Sequence, residues 1–141
     1  MANLSKRSLD ALQGVEPSLV QLIKSAIVDT PQDFTVVEGV RTTKRQQDLY
    51  AQGRTKTGKI VTNTDGVKNK SNHQVKADGY GYAVDLYPYF EGQVQVAHKD
   101  TVKKLKIITD HLKAKAKCMN ITISCGIDWK FFDAPHVEIK K

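Results

Sequence analysis

Two histidines lie in short segments that also carry small polar or acidic residues. His73 lies in the segment SNHQ, His136 lies in the segment DAPHVE, and Asp85 lies between them in GYAVDL. Two imidazoles and one carboxylate form a ligand set of catalytic zinc sites, in which a fourth position stays open to water. A metal site requires that the fold bring these three segments together. Otherwise each histidine is satisfied by its own neighbours, and the spacing alone does not choose between these alternatives.

The strand-like segment YAVDLYPYF determines the direction in which the Asp85 side chain points. Successive side chains of a strand point to opposite faces, so Ala83, Asp85 and Tyr87 share one face. Val84 and Leu86 take the other face, which is the apolar one. Asp85 therefore stands on the polar face of a predicted strand, beside a very small neighbour.

The last apolar segment, HVEIK, shows the same alternation. His136 and Glu138 share a face, whereas Val137 and Ile139 point in the opposite direction, into the core. Glu138 is thus placed where it could orient an imidazole by a hydrogen bond. The interpretation that we favour for Glu138 is nevertheless an ordinary glutamate on the surface.

The composition indicates one small, basic domain. The chain has 141 residues, of which 40% are hydrophobic, which is enough for one core but not for two. A net charge of +7 and a pI near 9.4 favour an anionic partner, such as a cell-wall or envelope surface. Nucleic acid is not expected as a partner, because the basic residues are not interleaved with aromatic ones and no nucleic-acid-binding motif occurs. We expect a monomer.

The start of the chain predicts synthesis in the cytoplasm. Lys6 and Arg7 are not followed by the apolar core of a signal peptide, and the best apolar stretch, LVQLIKSAIV, is too short to span a bilayer. Cys118 and Cys125 lack the spacing of a thiolate zinc site. We expect both cysteines to be reduced and buried.

Predicted helices and strands are mixed along the chain without a regular βαβ alternation. This pattern predicts an α+β fold with a small antiparallel sheet flanked by helices. Hydrophobic periodicity and turn residues predict helices at about 5–13, 17–29, 43–52 and 100–118, and strands at 33–40, 82–90, 120–126 and 136–140.

Arg41 lies at the junction between a predicted strand and the predicted helix 43–52. Thr43, followed three residues later by Gln46, is a capping-box signal for the start of this helix, and Gly53 supplies a left-handed residue that ends it. Residues 54–82 are polar and show little periodicity, which predicts a long loop. A loop of this length in a compact domain is usually functional or mobile.

The segments SNHQ, GYAVDL and DAPHVE together resemble three signature blocks of a family of zinc peptidases. The family includes D-alanyl-D-alanine carboxypeptidases and dipeptidases and the phage L-alanyl-D-glutamate endopeptidases. Its pattern is Ser-x-His, then Gly-x-Ala-x-Asp, then an acidic residue three positions before a second His. EGVRTTKRQQDLYAQG resembles a further block, so the resemblance covers about residues 33–140 of a single peptidase domain, 1–141, with N-terminal helices in 1–32.

The resemblance implies a Zn²⁺ site with His73, Asp85 and His136 as ligands. In one respect the chain departs from the family: seven residues separate His73 from Gly81, where the family usually has three. The longer loop contains Asp78, which is therefore a second candidate for the carboxylate ligand. We favour Asp85, because it alone lies in the Gly-x-Ala-x-Asp frame and on a predicted strand.

The resemblance also implies the catalytic and substrate-binding residues. Asp133, three residues before His136, is implied as the general base. Arg41 is implied as the residue that binds the substrate carbonyl and stabilises its oxygen as negative charge develops. Ser71 is implied as a donor to a substrate carboxylate.

The implied function is that of a phage endolysin that cleaves the L-Ala–D-Glu bond of the peptidoglycan stem peptide. Small size, the missing signal peptide and Asp rather than Glu at position 133 favour this activity. The alternatives are a D-Ala-D-Ala carboxypeptidase and a non-catalytic wall-binding domain. We expect the enzyme to reach the wall from the host cytoplasm once the membrane is permeabilised, and to hold its substrate in an open groove lined by the long loop and by the tyrosines at 80–89.

Overall fold

A five-stranded antiparallel sheet lies at the centre of the computed structural model, which describes residues 3–62, 64–130 and 132–141. The strands are β1 (Phe34–Glu38), β2 (Ala83–Phe90), β3 (Gln93–Val94), β4 (Thr122–Cys125) and β5 (His136–Lys140). They pair in the order β1-β2-β5-β4, and β3 forms a hairpin with the end of β2. Both β2 and β5 are therefore paired on two sides, which makes them the most constrained strands of the sheet.

The described residues also form four α-helices: α1 (Lys6–Ala11), α2 (Pro17–Val28), α3 (Thr43–Ala51) and α4 (Thr101–Cys118). Helices α2 and α4 pack against each other and against the sheet. Their apolar stripes meet the apolar faces of β2 and β5 in a core whose fully buried members include Leu19, Leu22, Ile23, Val84, Leu86, Leu105, Ile108, Leu112 and Val137. The predicted α+β fold with a small antiparallel sheet is confirmed.

Helix α1 covers the outer strand β1. Ser8 is fully buried, and its Oγ accepts a hydrogen bond of 2.9 Å from the backbone N–H of Val36 in β1. An uncovered edge strand exposes unpaired backbone groups that can pair with other chains. The α1 contact therefore satisfies part of this edge from within the chain.

The bounds of the predicted helices and strands agree with the structure to within about two residues. Three other details differ from the prediction. The short strand β3 was not predicted, because two residues carry no periodic signal. Helix α3 is capped by Thr42, whose side chain accepts from the Arg45 N–H, rather than by Thr43. Cys125 is buried as expected, but Cys118 is exposed, because it ends α4 on the solvent side.

Two buried glutamines hold the long segment between α3 and β2 in place. Gln46 of α3 is fully buried and donates from Nε2 to the Thr64 carbonyl at 2.7 Å. Gln74 donates to the Gly66 carbonyl and accepts from the Ser71 N–H at 2.8 Å. The polar loop is therefore fixed by side chains and needs no regular strand or helix in its described part.

Within the described part of the chain, none of the helices combines the length and the apolar character that a membrane span requires.

Candidate metal centre and active site

Asp85 of β2 and His136 of β5 are direct partners in the antiparallel pair. The adjacent partners, Val84 and Val137, are fully buried in the core. Side chains alternate along each strand, so Asp85 and His136 lie together on the opposite face. Two interior strands thus position both side chains rigidly.

His73 is brought to the same place by the loop that precedes β2. Its carbonyl accepts a hydrogen bond of 2.8 Å from the Arg41 N–H, and the carbonyl of its neighbour Asn72 accepts one of 2.7 Å from the Tyr82 N–H. A Cβ atom at Gly81 would lie only 2.9 Å from the His73 carbonyl oxygen. The glycine of the GYAVDL segment therefore permits the close approach of the His73 loop to the start of β2.

The two histidines meet in space together with Asp85. His73 Nε2 lies 3.1 Å from His136 Nδ1 and 3.3 Å from Asp85 Oδ1. His136 Nδ1 lies 3.6 Å from the same carboxylate oxygen. These three residues form a group whose ligand atoms could hold one metal ion.

Hydrogen bonds at the far side of each ring determine which nitrogen faces this point. His73 Nδ1 lies 2.9 Å from the Gly39 carbonyl oxygen, which can only accept, so this nitrogen carries the proton. His136 Nε2 lies 2.9 Å from Glu138 Oε1 and donates to it. In the neutral imidazoles, the lone pairs of His73 Nε2 and His136 Nδ1 therefore converge.

Asp85 Oδ1 is buried and has no hydrogen-bond partner in the described part of the chain, although two imidazole nitrogens lie near it. A buried carboxylate oxygen without a partner is costly, and here it faces two nitrogen lone pairs. Burial alone would raise the pKa of Asp85, but the imidazoles outweigh burial and hold this pKa below its ordinary value. Burial would lower the pKa of His136, but the Asp85 and Glu138 carboxylates outweigh it and raise the pKa to about 9. The site thus attracts positive charge, and a metal cation fits this donor set.

The interpretation of Glu138 as a surface glutamate is wrong, because Glu138 is only 3% exposed. Its Oε1 accepts from His136, and its Oε2 accepts from Asn72 Nδ2 at 2.8 Å and from Lys140 Nζ at 2.9 Å. Burial would raise the pKa of Glu138, but its hydrogen bonds, first among them that from His136, lower the pKa to about 2. A strand face that lines a cleft and one that faces solvent show the same alternation, so the sequence pattern could not separate them.

Asp133 lies beside the three clustered side chains but is not one of them. Its Oδ2 is 3.8 Å from His136 Nδ1, and its carbonyl accepts from the His136 N–H at 3.0 Å. The Asp133 N–H donates to the Gly126 carbonyl, and a Cβ atom at Gly126 would clash with the Asp133 backbone. Burial, followed by the charge of Asp85, raises the pKa of Asp133 above its ordinary value.

Arg41 is held by three side chains at the edge of the cluster. Nε donates to Glu38 Oε1 at 2.7 Å, and one terminal nitrogen donates to Gln46 Oε1 at 2.8 Å. The other terminal nitrogen lies 3.5 Å from Asp85 Oδ2. Gln46 therefore does not act as a capping-box residue. Its amide instead joins Arg41 to the long loop.

Ser71 lines the cleft above the cluster, and its Oγ accepts from the His73 N–H at 3.1 Å. Asp78 lies elsewhere: its carboxylate accepts from the Tyr82 hydroxyl and the Tyr80 N–H. The structure thus brings Ser71, but not Asp78, to the candidate site.

A cleft of about 940 Å³ opens over the cluster. An aliphatic wall borders it near α3 and consists of Leu49, Ile60 and Val61. An aromatic wall borders it on the segment that follows β4 and consists of Trp129 and Phe132. Because α3 follows β1 and the aromatic segment follows β4, the sheet order places these walls on opposite sides of the cluster on β2 and β5.

The tyrosines at 80–89 contribute less to this cleft than expected. Tyr87 lines it, whereas Tyr89 belongs to the β2–β3 hairpin. The aliphatic and aromatic walls were not predicted, because four of their five members, all except Leu49 of α3, come from segments without a periodic pattern. Their apolar side chains in otherwise polar segments are the only signal that the sequence carries.

The chain is similar in sequence to known peptidases. Over residues 1–141 the chain matches the family described as phage L-alanyl-D-glutamate peptidase. It is 30% identical over 118 residues to the peptidoglycan L-alanyl-D-glutamate endopeptidase CwlK of Bacillus subtilis. The alignment covers 83% of this chain and 66% of that protein. It is 27% identical over 138 residues to the L-alanyl-D-glutamate peptidase of Escherichia phage T5. That alignment covers 96% of this chain and 88% of the phage protein.

A solved structure supports the fold assignment. The Serratia marcescens L-Ala D-Glu endopeptidase ChiX superposes with a TM-score of 0.69 at 22% identity, and the alignment covers 98% of this chain and 90% of that one. The family match over the whole chain establishes that the protein belongs to the phage L-alanyl-D-glutamate peptidase family.

Proposed function

We propose that this protein is a zinc-dependent endopeptidase, formed by one peptidase domain, that cleaves the L-Ala–D-Glu bond of the peptidoglycan stem peptide. The observation that carries the proposal is the convergence of two imidazole lone pairs on Asp85 Oδ1, for which residues 3–62, 64–130 and 132–141 supply no hydrogen-bond partner. The family to which the chain belongs supports the choice of bond.

The donor set of His73, Asp85 and His136 suits zinc. Imidazole nitrogen favours a borderline cation such as Zn²⁺ over Mg²⁺ or Ca²⁺, which prefer oxygen ligands. Three protein ligands are the number found at catalytic zinc sites, which keep one position open. A zinc ion held here would polarise the scissile carbonyl and lower the pKa of a water molecule to about 7.

Asp133 is the proposed general base. Its Oδ2 borders the cluster at 3.8 Å from His136 Nδ1, so it can accept the proton of an attacking water without being a ligand. The raised pKa of Asp133 makes its carboxylate a better proton acceptor. Asp133 then passes the proton to the leaving amino group of D-Glu.

Arg41 is proposed to stabilise the carbonyl oxygen as negative charge develops on it. The guanidinium is 3.5 Å from Asp85 Oδ2 and is held by Glu38 and Gln46, so its position does not depend on the substrate. A preorganised and permanently charged donor is suited to this task. The Ser71 hydroxyl accepts from the His73 N–H, which leaves its own proton for a substrate carboxylate.

The site of action that we propose is the bacterial cell wall, with an anionic wall or envelope surface as a further partner. The net charge of +7 supports such a partner. Along α4, however, several lysines are ion-paired, namely Lys106 with Asp110, Lys113 with Asp128, and Lys115 with Asp29. Exposed members such as Lys103 and Lys117 are the better candidates for this contact. We propose that the protein acts as a monomer.

Mass analysis of the products of purified peptidoglycan tests the proposed bond. We expect new amino-terminal D-Glu and L-Ala that remains on the muramyl lactyl group. Release of free D-Ala without new amino-terminal Glu would instead identify a D-Ala-D-Ala carboxypeptidase. Binding to the wall without any cleavage would identify a non-catalytic wall-binding domain.

A further inference from the structure

The aromatic wall of the cleft, Trp129 and Phe132, has no role in the proposed chemistry. Phe132 is 55% exposed although it is next to Asp133 in the chain. Trp129 lies with its ring 4.9 Å from the His136 ring, and its Nε1 donates to Ser124 Oγ at 2.8 Å, which fixes its orientation. Neither ring belongs to the buried hydrophobic core.

An exposed aromatic surface that continues into a catalytic cleft is typical of a ligand-binding surface. Packing against His136 explains why Trp129 lies in the cleft, but it does not explain why the apolar Phe132 side chain is exposed there. The cleft of about 940 Å³ is also larger than the two residues that flank a scissile bond require. The aromatic wall is therefore placed to contact a part of the substrate beyond that bond.

We propose that the aromatic wall binds the sugar ring of the muramic acid to which the stem peptide is attached. This inference rests on the proposed cleavage of the L-Ala–D-Glu bond. In peptidoglycan, L-Ala is joined by an amide to the lactyl group of muramic acid, so the sugar lies on the L-Ala side of the scissile bond. One face of a pyranose ring presents polarised C–H groups, which pack favourably on the negative face of an aromatic ring.

The dimensions of the site agree with this placement. About two extended residue lengths, ~7 Å, separate the L-Ala carbonyl from the sugar ring. The Trp129 ring adjoins that of the candidate ligand His136 at 4.9 Å, and Phe132 adjoins the proposed base Asp133. The aliphatic wall on the other side of the cluster offers no π-face and is left for the distal part of the stem peptide.

Intrinsic fluorescence measures sugar binding directly, because Trp129 is the only tryptophan in the chain. Titration with N-acetylmuramic acid, and with N-acetylmuramyl-L-Ala, should change the Trp129 emission in a saturable way. Phe132→Ala should raise the dissociation constant obtained from this titration about tenfold, which is the effect of losing one aromatic contact. Tyr80→Ala is the matched control, because Tyr80 is 38% exposed but does not line the cleft. It should leave the response unchanged.

Kinetics with two matched substrates provide the second measurement. One substrate is the free stem tetrapeptide, and the other is the same peptide attached to N-acetylmuramic acid. We expect kcat/KM to be about tenfold higher for the sugar-bearing substrate and the ratio to fall towards one in Phe132→Ala. Metal content and thermal unfolding of each variant exclude misfolding as the cause.

Equal kcat/KM for the two substrates, together with no fluorescence response to either sugar, would overturn the sugar site. The proposed function would stand in that case if both substrates were cut between L-Ala and D-Glu. Failure to cut either substrate would overturn the proposed function instead. The fluorescence titration would then still decide whether the aromatic wall binds the sugar.

Discussion

Asp85 and His136 face each other across the β2–β5 pair, with Asp85 Oδ1 3.6 Å from His136 Nδ1. Because Glu138 accepts a hydrogen bond from the Nε2–H group of His136, the neutral imidazole presents its Nδ1 lone pair to a carboxylate oxygen that has no hydrogen-bond partner among the described residues. Two facing acceptors are stable only when a proton or a cation lies between them. The fold therefore holds two electron-rich atoms close together, and a metal ion bound between them would remove their repulsion.

Replacement of one candidate ligand should release the metal. We expect wild-type protein to retain one zinc ion per chain after gel filtration and His136→Ala to retain almost none, because the remaining donors no longer form a three-ligand site. Elemental analysis measures this. His98→Ala is the matched control, since His98 lies outside the cleft, and it should keep the full zinc content. Stoichiometric zinc in His136→Ala would remove His136 from the ligand set.

Replacement of the proposed base should separate catalysis from metal binding. Asp133→Asn keeps the shape of the side chain but cannot accept a proton, so hydrolysis should fall at least ~100-fold while zinc stays bound. Rates on a soluble muropeptide and elemental analysis test this pair of outcomes. Asp78→Asn, a carboxylate outside the cluster, should keep both activity and zinc. Near-normal turnover by Asp133→Asn would exclude Asp133 as the base.

Glu138 should govern metal affinity, although it is not one of the three candidate ligands. Its two oxygens accept from three donors, His136, Asn72 and Lys140. The amide of Glu138→Gln has one acceptor oxygen and must turn its NH₂ group towards one of these donors. We expect zinc affinity to fall about 10–100-fold, the usual effect of removing such a supporting group.

Competition with a chromophoric chelator measures this affinity, and the ¹⁵N shifts of His136 report whether its proton stays on Nε2. Lys140→Ala is the control, because Lys140 is exposed and contacts the same carboxylate without touching a candidate ligand. Wild-type zinc affinity in Glu138→Gln would mean that this glutamate only fills space.

Salt should distinguish attraction to an anionic wall from catalysis. The Debye length falls from about 10 Å at 0.1 M to about 3 Å at 1 M salt, so lysis of permeabilised cells should weaken steeply over this range. Cleavage of a small soluble muropeptide should change much less. Equal salt dependence of the two rates would argue against steering by the basic surface.

The strands that carry Asp85 and His136 were predictable from the sequence, because alternation separates polar from apolar faces. The pairing of β2 with β5 was not, since register depends on contacts between distant segments. The burial of Glu138 was missed for the same reason. A face that lines a cleft is polar, as is one that faces water, and only the neighbouring loop distinguishes them.

The role of Gln46 shows another limit of sequence patterns. Its position after Thr43 suggested a local cap, but its amide instead joins Arg41 to the Thr64 carbonyl in the long loop. Local motifs describe neighbours along the chain, whereas a buried amide bonds to whatever the tertiary fold places beside it. The two walls of the cleft were missed because their residues, except Leu49 of α3, come from irregular segments.

Zinc titration of the metal-free protein tests the central claim most directly. New amino-terminal D-Glu released from peptidoglycan is counted as zinc is added to protein stripped with a chelator. We predict that the rate is close to zero without metal, rises in proportion to added zinc and saturates at one equivalent per chain. Full release of amino-terminal D-Glu by the metal-free protein would contradict a metal-dependent site at His73, Asp85 and His136.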